Sequence, residues 1–251
     1  MKKLIAFVLA AMMVLSLAAC GGDKTAPTTA ATTDPTTHPT TEPTTAPTTE
    51  PTTAPTTEPT TVPETTEAQA QGSKLGVVEG NTDTNSFLGI TATLDENWTF
   101  ANDEEMAQIR GMTMDAMNDE SLSQMLETSG AVMDMYAMDT EGRTLNIMLE
   151  NLNILQSVAL TEKAYVDATV GQLPSVLENM GFANVTAEPT EMIFAGESHA
   201  AVKIHASVQG VEFFETMVVV KQGNYIACVT VASYGQDTTA NVLEQFTAIV
   251  L

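Results

Sequence analysis

The chain has 251 residues, with 9 Lys/Arg against 32 Asp/Glu, a net charge of −23, and two cysteines. Such a charge repels phosphate backbones and anionic headgroups, which argues against nucleic-acid binding. Two cysteines are too few for a disulfide framework.

Lys2-Lys3 is followed by an apolar run from Leu4 to Leu17. The run is too short for a comfortable membrane span, which needs roughly 20 residues, and suits the core of a signal peptide. It closes on Leu17-Ala18-Ala19-Cys20, followed by Gly21-Gly22. That reads as a bacterial lipobox, cut before Cys20, whose thiol then carries lipid. The expected boundaries are a signal peptide over 1–19, a lipid-anchored N-terminus over 20–24, a disordered Pro/Thr-rich stalk over 25–72 and a folded head over 73–251.

In the stalk, prolines recur every fourth position from Pro35 to Pro63, and 21 of residues 25–67 are threonine. No apolar face exists there, so no core can form. Proline restricts its own φ and the residue before it. The expectation is a polyproline-II-biased spacer, of order 130 Å if extended at about 3.1 Å per residue. The threonines are candidates for O-linked sugar on composition alone.

The head holds six Lys/Arg against 25 Asp/Glu, a net of −19. Phe87 to Leu94 reads as a strand, Asp95-Glu96-Asn97 as a turn and Trp98-Thr99-Phe100 as a second strand. Asn102 with Glu105 three residues on forms a capping box. From there Met106, Ile109, Arg110, Thr113 and Met117 share a face at helical spacing. A short helix follows from Glu120 to Thr128. Ala131–Met138 and Arg143–Glu150 read as a hairpin about a turn at Asp139 to Gly142. Thr161 caps a helix running toward Met180, with Leu160 and Tyr165 placed as a hydrophobic staple, Gly181 at the end, and Pro174 expected to kink or divide it.

Strands then follow at Val185–Thr186, Glu191–Ala195, Ser198–Val208, Glu212–Lys221 and Tyr225–Ser233, separated by Gly-containing turns. A last helix, capped by Asp237, is expected to carry Val242, Phe246 and Ile249 on one face. This order gives an α+β domain: a mainly antiparallel sheet flanked by helices.

The opening Phe87-Leu-Gly-Ile, Leu94 and Trp98-Thr-Phe100 before an acidic-capped helix, and the ending Ala195-Gly-Glu-Ser-His-Ala-Ala, Tyr225-Ile-Ala-Cys-Val-Thr-Val and a terminal helix, resemble PsbP-like α/β/α domains. Their relatives include the LpqN-type bacterial lipoproteins. The resemblance covers about 87–251 and implies an α/β/α sandwich. It places no functional residue on this chain. For function it implies a binding or partner-recruiting module.

Motifs that carry chemistry are scarce. The head contains no nucleophile-elbow, zincin, Cys-x-x-Cys, dinucleotide or P-loop motif. His199, Lys203 and His205 fall on one face of a strand whose other face is Ala200, Val202, Ile204, Ala206 and Val208. Six residues span about 20 Å of strand, so the two histidines cannot share a metal, and a solvated face is the expected reading. Asp95-Glu96-Asn97 and Asp103-Glu104-Glu105 lack calcium-loop spacing and read as a turn and a helix cap. Cys228 reads as a buried structural thiol. Twelve of the fifteen methionines are in the head. Met133 and Met135 are expected on one strand face. Core filling is the default for such methionines, with an adaptable apolar groove or a Cu(I) site as alternatives.

The leading expectation is a non-enzymatic, surface-displayed binding or interaction module. It needs no cofactor and no catalytic or metal residue, and lipid on Cys20 holds it to the outer face of the cytoplasmic membrane of a Gram-positive cell. Its partner would be a surface protein or cell-wall ligand. The alternative is an extracytoplasmic enzyme acting on cell-wall or nutrient polymers through dispersed carboxylates. A third reading is an envelope protein in which the stalk matters most.

Overall fold

The computed structural model describes residues 73–114, 117–152 and 154–249. The signal-like run, Cys20 and the Pro/Thr repeat lie outside the described residues.

Two antiparallel sheets face each other. Strands β1 (Val77–Glu79), β2 (Thr82–Asn85) and β3 (Ile90–Thr93) join the last strand, β11 (Phe246–Ala248), in the order β1-β2-β3-β11. The larger sheet contains β4 (Trp98–Phe100), β5 (Ala131–Asp139), β6 (Thr144–Asn151), β7 (Ala183–Phe194), β8 (Glu197–Val208), β9 (Val211–Gln222) and β10 (Tyr225–Tyr234). Its order is β4-β5-β6-β10-β9-β8-β7, with every pair antiparallel. The helices are α1 (Asp103–Arg110), α2 (Asp119–Ser129), α3 (Ile154–Ala159), α4 (Glu162–Val170), α5 (Leu173–Asn179) and α6 (Thr239–Leu243).

Alternation along the central strands divides the core in two. On one face Leu145, Ile147, Val218, Val229 and Val231 meet Ile90 and Ala92 of the small sheet, Leu126 of α2 and Leu243 of α6. On the other, Met148, Met217, Val219 and Ile226 meet Met106 of α1, Tyr165 and Val166 of α4, and Leu173 and Leu177 of α5. The head is therefore α+β with helices on both faces of a large antiparallel sheet, and on one face the small sheet shares the cover.

Local chemistry explains most boundaries. Asn102 caps α1 and Glu105 reaches back to the Asn102 N–H, a complete capping box. Thr161 accepts the Ala164 N–H at the start of α4, and Leu160 packs, partly buried, against the apolar cluster that contains Tyr165. Pro174 opens α5, so the expected long helix is divided.

Four expectations need correction. Helix α1 ends at Arg110, because Gly111 takes the left-handed conformation (φ 66°) and turns its N–H back to the carbonyls of Ala107 and Gln108. Thr113 and Met117 therefore do not extend its face. Met133 and Met135 lie on opposite faces of β5, because a β-bulge falls between them. Strand β7 is one strand of 12 residues rather than two. It tolerates Pro189 because it is the sheet's edge, where the missing N–H faces no partner. The last helix stops at Leu243. The Thr93 N–H donates to the Gln245 carbonyl, and Phe246 pairs with Ala92 as strand β11. Phe246 and Ile249 thus complete the open edge of β3 instead of forming a helical stripe. The hairpin of β1 and β2 was not anticipated from the sequence.

Candidate functional site

The site is built where the short helix α1 crosses the edge of the large sheet. Of its eight residues only Met106 and Ala107 are buried. At its end Arg110 donates to the carbonyls of Met133 (2.8 Å) and Asp134 (2.9 Å), satisfying the part of the β5 edge that β4 does not reach. Between the rest of α1 and β4–β5 lies a chamber of about 700 Å³, within the ~300–1,000 Å³ used by small-molecule sites. Phe100, Ala101, Ile109 and Met138 give it apolar walls, and Asn97 and Gln108 are among the polar groups that line it.

The chamber's two carboxylates are occupied by local structure. Glu105 accepts the Asn102 N–H, and Asp139 accepts the N–H groups of Glu141 and Arg143 and pairs with the Arg143 guanidinium.

Tyr136 lines the chamber and begins a second feature. Cross-strand register sets Tyr136 of β5, Asn146 of β6 and Thr230 of β10 in one row on the same sheet face. One step along, Ala232 lies opposite Glu215 of β9, and Tyr234 lies opposite Phe213. Glu215 is thus a diagonal neighbour of both Thr230 and Tyr234. Five polar side chains form a strip across a face whose core positions are otherwise apolar, among them Met148, Met217, Val219, Ile226 and Phe213.

The strip is poorly satisfied from within. The Asn146 Oδ1 and Thr230 Oγ1 are fully buried with no hydrogen-bond partner. Glu215 is 5% exposed, and burial alone pushes its carboxyl up to about 7. Burial also raises the phenols of Tyr136 and Tyr234, with Tyr234 adding to the first and Glu215 to the second. Native proteins keep few such orphans, since each costs about 1–3 kcal/mol.

A further buried carboxylate on the same face, Glu150, accepts from the Tyr165 hydroxyl at 3.0 Å. Register places Glu150 opposite Ile226 and Lys221, six residues along β9 from Glu215. That is about 20 Å of strand, beyond the roughly 5–10 Å within which two carboxylates share a glycosidic bond.

The other residues singled out in the sequence are spread over the fold. His199 and Glu162 are paired, Nδ1 to Oε1 at 3.0 Å. Past Ala201 and Val218 the pairing of β8 with β9 stops, and Glu162 accepts the N–H groups of Ala200 (3.4 Å) and Lys221 (2.8 Å) in the fork. The hydrogen bond raises His199; burial pulls Glu162 upward, but the bonds from His199 and the Lys221 N–H outweigh it and lower the carboxyl. His205 is separately paired with Glu212 and stacks on Phe214 with ring centres 4.8 Å apart. Lys203, between the histidines, is exposed. Asp95 accepts from Asn97 within its own turn. Cys228 is buried near the Tyr165 hydroxyl, and burial pushes its thiol up to about 12. Among the described residues no three His, Cys, Asp or Glu gather at metal distance, and no helix is long and apolar enough to cross a membrane.

Tyr136, Asn146, Glu215, Thr230 and Tyr234 were not picked out from the sequence. The signal was there: Asn146 interrupts Leu145 to Leu149, and Glu215 sits in the inward phase between Phe213 and Met217.

No family model matches the chain, and no curated protein does. Among solved structures the chain is similar to LpqN, described as involved in cell envelope biogenesis of Mycobacterium tuberculosis. Identity is 12%, coverage is 63% of this chain and 82% of that one, and the TM-score is 0.34. An overlap that loose transfers no function.

Proposed function

We propose that this chain is a surface-anchored binding module whose head takes a small amphipathic molecule at the α1 edge of its large sheet. The observation that carries the reading is the chamber of about 700 Å³, whose walls are largely apolar and whose lining includes Asn97, Gln108 and Tyr136 as polar groups. An apolar body enters the chamber by the hydrophobic effect. Hydrogen-bonding groups at its end meet Tyr136, Asn97 and Gln108. The module is non-enzymatic: the chamber's carboxylates serve the α1 cap and the β5–β6 turn.

The anchor and stalk complete the proposal. Leu17-Ala18-Ala19-Cys20 after a short apolar run supports cleavage before Cys20 and its lipidation. Acyl chains add about 0.8 kcal/mol of membrane affinity per buried CH₂. The Pro/Thr repeat supports a spacer that carries the head away from the outer face of the cytoplasmic membrane, as a Gram-positive wall requires.

The test is uptake of a neutral apolar fluorophore by the purified protein. Saturable binding is expected, and Ala101→Phe, which puts a ring into the chamber, weakens it while the far-ultraviolet circular dichroism stays unchanged. No saturable uptake by wild type, or equal affinity in Ala101→Phe, refutes the reading.

A further inference from the structure

A second cluster lies away from the chamber, where the start of the head meets the β5 bulge. The β-bulge at Met133–Met135 turns Asp134 toward the small sheet. Its Oδ1 accepts the Gly76 N–H and its Oδ2 accepts from the Asn85 amide, both at 2.7 Å. Asp83, two residues before Asn85 on the same face of β2, approaches the same glycine. A Cβ on Gly76 would stand 2.6 Å from the Asp83 Oδ1. Both carboxylates therefore converge on one peptide. Asp83 is 1% exposed and Asp134 6%, and neither Asp83 oxygen has a hydrogen-bond partner.

Two buried carboxylates need positive charge. Among the described residues no cation contacts either carboxylate directly, although the Arg110 charge acts on Asp134. Arg110 spends its N–H groups on the Met133 and Asp134 carbonyls and on the Met117 sulfur, not on either carboxylate. The Lys74 ammonium sits over the Tyr225 ring, 5.4 Å from its centre.

We propose that Asp83 and Asp134 bind a hard divalent cation, with Ca²⁺ as the best match. The donor set is oxygen only, with no imidazole or thiolate, which selects against Zn²⁺ and copper. Two carboxylates fall one short of a three-side-chain cluster. Ca²⁺ completes such sets with carbonyl oxygens and water, and the Lys74 carbonyl lies at this corner, 3.2 Å from the Asn85 amide. Asn85 orients the site: its amide holds Asp134 while its carbonyl accepts the Leu88 N–H at 2.8 Å. Gly76 is required because any side chain would occupy the space beside Asp83. Bound there, the ion ties residues 73–76 to β2 and β5.

The experiment is thermal unfolding of the full chain at pH 8 with EDTA, then with Ca²⁺ or Mg²⁺, alongside isothermal titration with CaCl₂. Expected are one Ca²⁺ per chain, a midpoint rise of about 5–10 °C at 100 times Kd, reversal by EDTA, and a weaker response to Mg²⁺. Asp83→Asn keeps the shape, removes one charge and loses the shift. A wild-type protein with no heat of Ca²⁺ binding and no midpoint change overturns the proposal. In that event a higher midpoint for Asp83→Asn at pH 8, but not at pH 5, assigns the pair a shared proton instead.

Discussion

Replacing Glu215 with Gln keeps its shape and removes its charge. In the fold this carboxyl is raised from 4.5 to about 7 by burial, with no hydrogen bond to offset the loss of water. The native state therefore holds a proton that the unfolded chain has already released between about pH 4.5 and 7. Under linkage, stability must fall as pH rises through that window. A shift of about 2.5 units, at 1.36 kcal/mol each, gives a loss of about 3 kcal/mol by pH 8. Glu215→Gln escapes it. The variant should match wild type near pH 4 and exceed it by about 3 kcal/mol at pH 8. Asp83, also raised to about 7, is common to both proteins and cancels in their difference. The assay is urea unfolding at a series of pH values, followed through Trp98, the sole tryptophan and buried. For a domain of this size the gain corresponds to roughly 6–12 °C in midpoint temperature. Parallel wild-type and variant profiles across pH 4–8, or a variant less stable at pH 8, would refute the reasoning.

Other changes have equally direct readouts. Glu162→Ala strips an acceptor from His199 and from the N–H groups of Ala200 and Lys221. It should cost about 2 kcal/mol in urea unfolding near pH 5.5, where Glu162, lowered, is ionised and His199, raised, is protonated. The His199 contribution fades as pH rises past the ordinary histidine value, so the cost should shrink at pH 8; an equal cost at both values counts against the ion pair. Gly76→Ala forces a methyl to within 2.6 Å of Asp83 and should cost about 1–3 kcal/mol, whereas a neutral result would show that Asp83 moves freely. Asn102→Ala removes the acceptor for two N–H groups of α1, for about 1 kcal/mol. Because that helix walls the chamber, fluorophore uptake should fall with it.

How much of this was legible varies with the interaction involved. Capping is local, so Asn102 with Glu105, Thr161 and Pro174 announced helix boundaries that the fold keeps. Alternation is local too, and β8 to β10 appeared close to their true limits. The failures sit where a distant partner decides. A period of helix continued past Gly111 on paper, because Met117 keeps the spacing; the left-handed glycine ends it regardless. Phe246 and Ile249 match a helical stripe with Val242, yet the unpaired edge of β3 takes Phe246 as a strand partner. The bulge that separates Met133 from Met135 leaves no mark in composition, and its role becomes visible only when Asp134 meets Gly76 and Asn85, 58 and 49 residues away.

The same contrast explains why the site escaped a motif search. Motifs encode chemistry in consecutive residues, and here each strand contributes one or two polar side chains: Tyr136 from β5, Asn146 from β6, Thr230 and Tyr234 from β10, Glu215 from β9. Each alone resembles a tolerated polar residue in an apolar strand. Register turns them into a row. A carboxylate in the inward phase of a buried strand carries a cost that packing alone would remove, since Leu or Met fits the alternation of β9 and is cheaper to bury. The rule that recovers such sites from sequence is to score polar residues by strand phase rather than by motif. Applied to Phe213-Phe214-Glu215-Thr216-Met217, it marks Glu215, whose inward neighbours Phe213 and Met217 are both core. Applied to Thr82-Asp83-Thr84-Asn85, it marks Asp83 and Asn85 together, the two buried positions of β2.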